Sequence, residues 1–201
     1  MNSTHRHIAQ KISQAAGGSI LFPTDFRGLG SEDAIKMSLS RLVKEGQVER
    51  LAQGVYVKPK RKGKPANHNL DEIAQAIAKK EKVRIRRSAE FALFKLGLSS
   101  VAPEHLIYIT DGEPRNIRIG DKRLVFKATT PKKLSLSQDT SGLLIQAMEE
   151  LGKDKITSEV TQQIIQHLNT ISNEALMADL RLAPAWIYDL FRQLIINTKN
   201  K

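Results

Sequence analysis

Near the start of the chain, the apolar and turn residues mark two helical stretches that are separated by a glycine turn. Between residues 5 and 16 they recur at the i, i+4, i+7 spacing of one helix face, and Gly17-Gly18 ends this stretch. After the short apolar run 20–22, Pro23 with the following Thr-Asp pair is typical of a helix start, and Gly28-Leu29-Gly30 marks a turn. The pattern predicts two helices, the second of them brief.

A third helix and a β-hairpin follow directly. Ser31 is a favourable N-cap, and apolar residues recur on one side of the next stretch as far as Glu45, before a glycine that permits the terminating turn. The β-rich runs 47–51 and 55–57 are separated by Ala52-Gln53-Gly54, which predicts a hairpin. Three helices followed by a hairpin predict a winged helix-turn-helix over residues 1–59.

Beyond the hairpin the composition changes, and regular periodicity then resumes. The sequence KPKRKGKPANHN at residues 58–69 is rich in Pro, Gly and Lys, and we place a basic linker at residues 60–69. A second domain is predicted over residues 70–201, with an all-helical tail from about residue 134 to the end.

The second domain combines strands and helices. Its predicted strands are residues 83–85, 106–110, 116–119 and 123–127, the last three forming an antiparallel meander. Its predicted helices are residues 70–80, 88–97 (capped by Ser88), 140–151, 157–170, 173–182 and 185–197. The expected fold class is α+β: an N-terminal winged helix-turn-helix followed by a mixed α+β domain with an all-helical C-terminal tail.

Composition bears on the compartment and excludes several kinds of site. Of the 201 residues, 40% are hydrophobic and 26% charged, as in ordinary globular proteins. The chain has no cysteine, which excludes disulfides and thiolate chemistry and is consistent with a reducing compartment. Apolar runs fall short of the ~18 residues of a membrane helix, and the N-terminus lacks the apolar core of a signal peptide. We therefore expect a cytoplasmic protein.

The charge is unevenly distributed along the chain. The net charge is +11, and it divides into +7 for residues 1–64 (12 basic, 5 acidic), +6 for residues 65–133 (14 and 8) and −2 for residues 134–201 (6 and 8). A positive field confined to part of a protein attracts a polyanion. Arg84, Arg86 and Arg87 add charge at a predicted strand–helix junction, where they would extend a DNA surface or meet RNA or an acidic protein.

Candidate DNA-binding side chains lie on the polar side of the third predicted helix, on the hairpin and on the basic segment after it. Arg, Lys and Ser donate hydrogen bonds to base edges and phosphates when a helix lies in the major groove, and a flexible basic arm contacts phosphates or the minor groove. The alternatives are a solvated helix face and a solubilising linker. The candidates are Lys36, Met37, Ser40, Arg41 and Lys44 on the helix, Gln53 in the hairpin turn, and Lys58, Lys60, Arg61 and Lys62 after it.

The sequence has none of the motifs of an enzyme or a cofactor site that we considered. Ser88, His105 and Asp111 have the residue types of a hydrolase triad, but no nucleophile-elbow pattern surrounds the serine. His5 and His7 alternate like metal ligands, but no further ligand lies nearby in sequence. The phosphate-binding P-loop pattern is absent as well. We expect neither enzymatic activity nor a bound cofactor or metal.

The stretch from Arg41 to Tyr56 carries a family motif. It resembles the junction of recognition helix and wing in AbiE-type (AbiEi-like) antitoxins, and residues 84–133 resemble more loosely the segment that follows in them. In all, the resemblance covers about residues 4–133. The matching residues are Arg41-Leu42, Gly46, Val48, Arg50 and Gly54-Val55-Tyr56 in the first segment and Leu96-Gly97-Leu98 in the second.

This resemblance implies a bacterial winged-helix regulator that binds double-stranded DNA at its own promoter. It further implies the antitoxin of a type IV toxin–antitoxin pair, an abortive-infection system of phage defence, which protects against a nucleotidyltransferase-like toxin without necessarily binding it. The chain lacks the metal-binding acidic pair expected of such a toxin. Two other classes remain open, namely a winged-helix scaffold for protein–protein interaction and an RNA-binding regulator.

Overall fold

The structure is a computed structural model that describes residues 3–60, 69–137 and 139–199. Over these residues it is a mixed α+β protein with nine α-helices, two 3₁₀ helices and two small sheets. The chain divides into two compact units, Met1–Ile77 with Ile117–Arg123, and Ala78–Asn116 with Leu124–Lys201. The mixed α+β class expected from the sequence is confirmed.

The helices occur throughout the described chain, whereas the strands end before residue 129. The α-helices are α1 Ser3–Gln14, α2 Glu32–Lys44, α3 Leu70–Glu81, α4 Ala89–Lys95, α5 Pro131–Leu134, α6 Thr140–Leu151, α7 Ser158–Leu168, α8 Asn173–Leu180 and α9 Ala185–Lys199. The 3₁₀ helices are Pro23–Phe26 and Lys153–Lys155. The strands are β1 Ile20–Leu21, β2 Glu49–Ala52, β3 Val55–Val57, β4 Ile85–Arg87, β5 Leu106–Thr110, β6 Arg115–Ile119 and β7 Lys122–Ala128.

In the first unit, α1, α2 and the 3₁₀ helix Pro23–Phe26 share an apolar core with the β2–β3 hairpin. The small strand β1 extends the hairpin to a three-stranded antiparallel sheet in the order β1-β3-β2. Tyr56 on β3 is 7% exposed and belongs to this core. The buried residues of this core are Ile8, Ile12, Phe26, Ile35, Leu39, Leu42, Val48 and Tyr56.

The second sheet corrects the expected antiparallel meander. Its order is β4-β5-β7-β6, and β5 pairs with β7 in parallel, with Tyr108 opposite Phe126. The chain passes from β5 to the outer strand β6 before it returns as β7 between them. Leu124 and Phe126 on β7 are buried, whereas the side chains of β6 are exposed or half-buried, so the more apolar strand occupies the interior position.

One strand position and one helix cap also differ from the sequence-based expectation. The strand expected at residues 83–85 lies at Ile85–Arg87 instead, because Arg86 pairs with Ile109 and its charged side chain is buried. Ser88 does stand at the N-cap of α4, but its side chain makes no capping hydrogen bond.

The helices of the second unit enclose a separate apolar core. Helix α6 lies at its centre and contacts α4, α7, α8 and α9. Leu144, Ile145 and Met148 on α6 are fully buried with Phe191 on α9, and Trp186 packs against this cluster. The expected all-helical tail is present over the described residues.

Candidate nucleic-acid interface

Helix α2 is held in place by one apolar side and by defined ends. Ser31 accepts a hydrogen bond from the Ala34 amide at 3.3 Å, as an N-cap should, and Gly46 (φ +67°) allows the chain to leave the helix. The side turned to the core is formed by Ile35, Ser38, Leu39 and Leu42, all at most 5% exposed. The orientation of α2 in the first unit is therefore set by its own sequence pattern.

The opposite side of α2 is exposed and carries all five helix residues predicted from the sequence. Met37, Ser40, Arg41 and Lys44 form one strip along the helix, because they are three, one and three positions apart, and Lys36 lies on the flank of this strip. The Lys36 ammonium is within 4.0 Å of Glu32 and 3.7 Å of Asp33. The exposed residues are Lys36, Met37, Ser40, Arg41 and Lys44.

The hairpin after α2 presents further polar groups to solvent. Gln53 is exposed in the turn, where Gly54 adopts φ +72°. Arg50 on β2 is exposed too, and we did not include it among the candidate residues of the sequence. The sequence signal for Arg50 was a cation within a β-rich run, two positions after the apolar Val48.

The candidates after the hairpin have different surroundings. The Lys58 ammonium donates hydrogen bonds to the carbonyl oxygens of Ser13 (2.7 Å) and Ala15 (2.6 Å), so it caps the end of α1. Lys60 is exposed. Arg61 and Lys62 lie outside the described residues, so their predicted DNA contacts remain predictions. Among the residues of this group that the structure describes, Lys60 is thus the exposed cation.

The three arginines that begin the second sheet do not form one basic surface. Arg86 is only 2% exposed, and the Arg87 guanidinium lies 3.9 Å from the centre of the Phe91 ring. Arg84 is paired with Asp111 at 2.8 Å. Arg86 is therefore unavailable to a nucleic acid or a protein at the surface.

The described residues show no group of three or more His, Asp or Glu side chains arranged to hold a metal ion. His5 is 5% exposed and lies 3.6 Å from the Glu45 carboxylate, whereas His7 is exposed. Over the same residues, none of the helices has both the length and the apolar character needed to cross a membrane.

Comparison with known proteins places the chain in a family. No curated protein matches its sequence. The family model described as a family of unknown function, DUF6088, matches residues 7–176, which include α2, the hairpin and most of the second unit. Because this match covers far more than half of the chain, the protein is a member of the DUF6088 family.

Proposed function

We propose that the first unit is a winged helix-turn-helix that binds double-stranded DNA with α2 as its recognition helix. The observation that carries the proposal is the division of α2 into a buried side and an exposed strip of Ser, Arg and Lys side chains. The major groove is about 12 Å wide and admits a helix, and the 13 residues of α2 extend over about 20 Å.

The elements around α2 support this proposal. A short 3₁₀ helix and a glycine turn precede α2, and a hairpin within a three-stranded sheet follows it. This is the element order of a winged helix, in which the first helices support the recognition helix and the hairpin serves as the wing. Gln53 and Arg50 would then lie on the wing, next to the DNA backbone.

Each side chain of the strip has a role that follows from its chemistry. Arg41 has the planar donors that pair with two acceptors of a guanine, whereas Lys44, near the end of α2, is suited to a phosphate. Lys60 would contact a phosphate beside the wing. Lys58 has no role in the proposed interface, because its ammonium is bound to the end of α1.

The test is a titration of full-length protein with a labelled duplex from upstream of its own gene, followed by fluorescence anisotropy at several salt concentrations. Arg41→Ala should weaken binding by ~1–3 kcal/mol and relax the sequence preference. Lys44→Ala should weaken binding to all duplexes and flatten the salt slope by about 0.9. Lys155→Ala, a change at an exposed lysine of the second unit, is the matched control.

The outcomes separate three classes of function. If both α2 variants bind the duplex like the wild type, α2 is not the recognition element. Weak duplex binding that shows neither a sequence preference nor a steep salt slope would favour a protein-interaction scaffold. Tighter binding to RNA hairpins than to duplex DNA would favour the RNA-binding alternative.

We further propose that this regulator represses its own promoter and serves as the antitoxin of an AbiE-type pair. The support is the resemblance over residues 4–133, and the proposed partner is a nucleotidyltransferase-like toxin encoded nearby. In a test, the full-length double variant Arg41→Ala/Lys44→Ala is expressed from a foreign promoter beside the neighbouring gene. It should still relieve growth arrest while the native promoter is derepressed. A neighbouring gene that causes no arrest would leave a plain DNA-binding regulator.

A further inference from the structure

Met37 is a large apolar side chain on the exposed side of α2, away from the core. It is 58% exposed, and among the described residues of the first unit no other large hydrophobic side chain is exposed. On the core side of the same helix, Ile35 and Leu39 are at most 3% exposed. The helix therefore has all the apolar residues that it needs for packing without Met37.

Apart from the small, half-buried Ala34, the side chains around Met37 are polar or charged. On a helix the nearest neighbours lie three and four positions away, which are Asp33 and Ala34 before Met37 and Ser40 and Arg41 after it. Lys36, the preceding residue, lies on the flank of the strip and is paired with acidic side chains. Its ammonium lies within 4.0 Å of Glu32 and 3.7 Å of Asp33. A single apolar side chain within a polar strip fits a charged partner that bears isolated apolar groups.

Duplex DNA is such a partner. Its backbone is negative, and the 5-methyl group of thymine is an apolar group on the base edges of the major groove. A methionine is well suited to this contact, because its unbranched side chain adjusts its position and its sulfur is polarizable.

We propose that Met37 contacts the 5-methyl group of one thymine and thereby determines one base of the recognised sequence. This inference rests on the proposed function, because it assumes that α2 lies in the major groove. Arg41 follows Met37 by about one helical turn, or ~5.4 Å, and successive base pairs are ~3.4 Å apart. The thymine therefore lies about one to two base pairs from the base that Arg41 contacts.

The experiment replaces thymine by uracil, one position at a time, in the duplex that binds best, and measures the affinity of wild type, Met37→Ala, Met37→Leu and Met177→Ala. Uracil lacks only the methyl group. For the wild type, one substitution should weaken binding by about fourfold, the effect of one buried methyl group. Met37→Ala should bind the thymine duplex more weakly and be insensitive to that substitution. Met37→Leu should retain part of the sensitivity.

The matched control is Met177, an exposed methionine of α8 in the second unit, whose change to alanine should leave the uracil effect intact. The inference is wrong if no thymine is sensitive in the wild type, or if wild type and Met37→Ala lose the same affinity at every position. Sequence-specific binding that depends on Arg41 would persist in either case, and the proposed function would stand. Absence of any duplex binding would overturn the proposed function itself.

Discussion

Arg86 on β4 donates a hydrogen bond from Nε to Oε1 of Gln146 on α6, at 2.8 Å, inside the second unit. Its Nη1 also donates to the carbonyl oxygens of Leu136 and Ser137. The amide and hydroxyl of Ser137 in turn donate to Asp179 on α8, at 2.7 and 2.6 Å. A strand, two helices and the segment before α6 are thus joined by one buried polar network.

The electrostatics of this network explain how a charge is tolerated there. Burial lowers the pKa of the Arg86 guanidinium, and the charge of Asp179 opposes this effect. An arginine keeps its proton even when the pKa is lowered, so Arg86 stays charged and depends on its partners.

Arg86→Met should destabilise the second unit by ~3–5 kcal/mol, because Asp179 and two carbonyl oxygens lose a buried cation. The measurement is urea unfolding followed by the fluorescence of Trp186, the single tryptophan, which packs on the core of this unit. Arg84→Met, two positions away on an exposed side chain, is the control and should cost much less. It should instead raise the pKa of Asp111, which the hydrogen bond from Arg84 now lowers. Equal effects of the two changes would show that the buried network is unimportant.

Gly142→Ala should destabilise the second unit although alanine favours helices by ~1 kcal/mol over glycine. A Cβ at Gly142 would overlap the carbonyl oxygen of Ser137 and lie 2.9 Å from Arg86 Nη2. We expect a net loss of ~2 kcal/mol in the same unfolding experiment. Glu150→Ala on an exposed position of α6 should change stability by less than ~0.5 kcal/mol. A stabilised Gly142→Ala variant would contradict this close approach.

Lys58→Met should affect stability alone, and Lys60→Met should affect DNA binding alone. Loss of the two hydrogen bonds from Lys58 to the end of α1 should cost about 1 kcal/mol in the first unit, with an unchanged salt slope of duplex binding. Lys60→Met should flatten that slope by about 0.9 with unchanged stability. Hydrogen exchange of the α1 amides reports the first effect, and anisotropy at several salt concentrations the second. A flatter salt slope for Lys58→Met would contradict this prediction and show that Lys58 contacts DNA.

Ser31→Ala should lower the stability of α2 by about 1 kcal/mol, because the Ala34 amide loses its cap. Ser40→Ala, on the exposed strip of the same helix, should leave stability unchanged and weaken duplex binding instead. Hydrogen exchange of α2 and the anisotropy titration separate the two effects. If Ser40→Ala destabilises α2 as much as Ser31→Ala does, the strip has a structural role.

The sequence alone predicted elements whose formation depends on nearby residues. Helix α2 was predicted with its N-cap at Ser31, and α6 was predicted with both ends correct, at Thr140 and Leu151. Caps, glycine turns and the spacing of apolar side chains act within a few residues, so the pattern contains this information. The exposed strip of α2 followed from the same periodicity.

Only the tertiary structure decided which distant residues meet. The parallel pairing of β5 with β7 joins two strands that are separated in sequence by β6, and a local pattern does not contain that choice. Likewise, Arg86 and Lys58 were interpreted as surface charges, although Arg86 is enclosed by partners 50 to 60 residues away and Lys58 reaches the end of α1. A charged side chain is buried only where the fold supplies hydrogen-bond acceptors around it, and those acceptors come from separate parts of the chain.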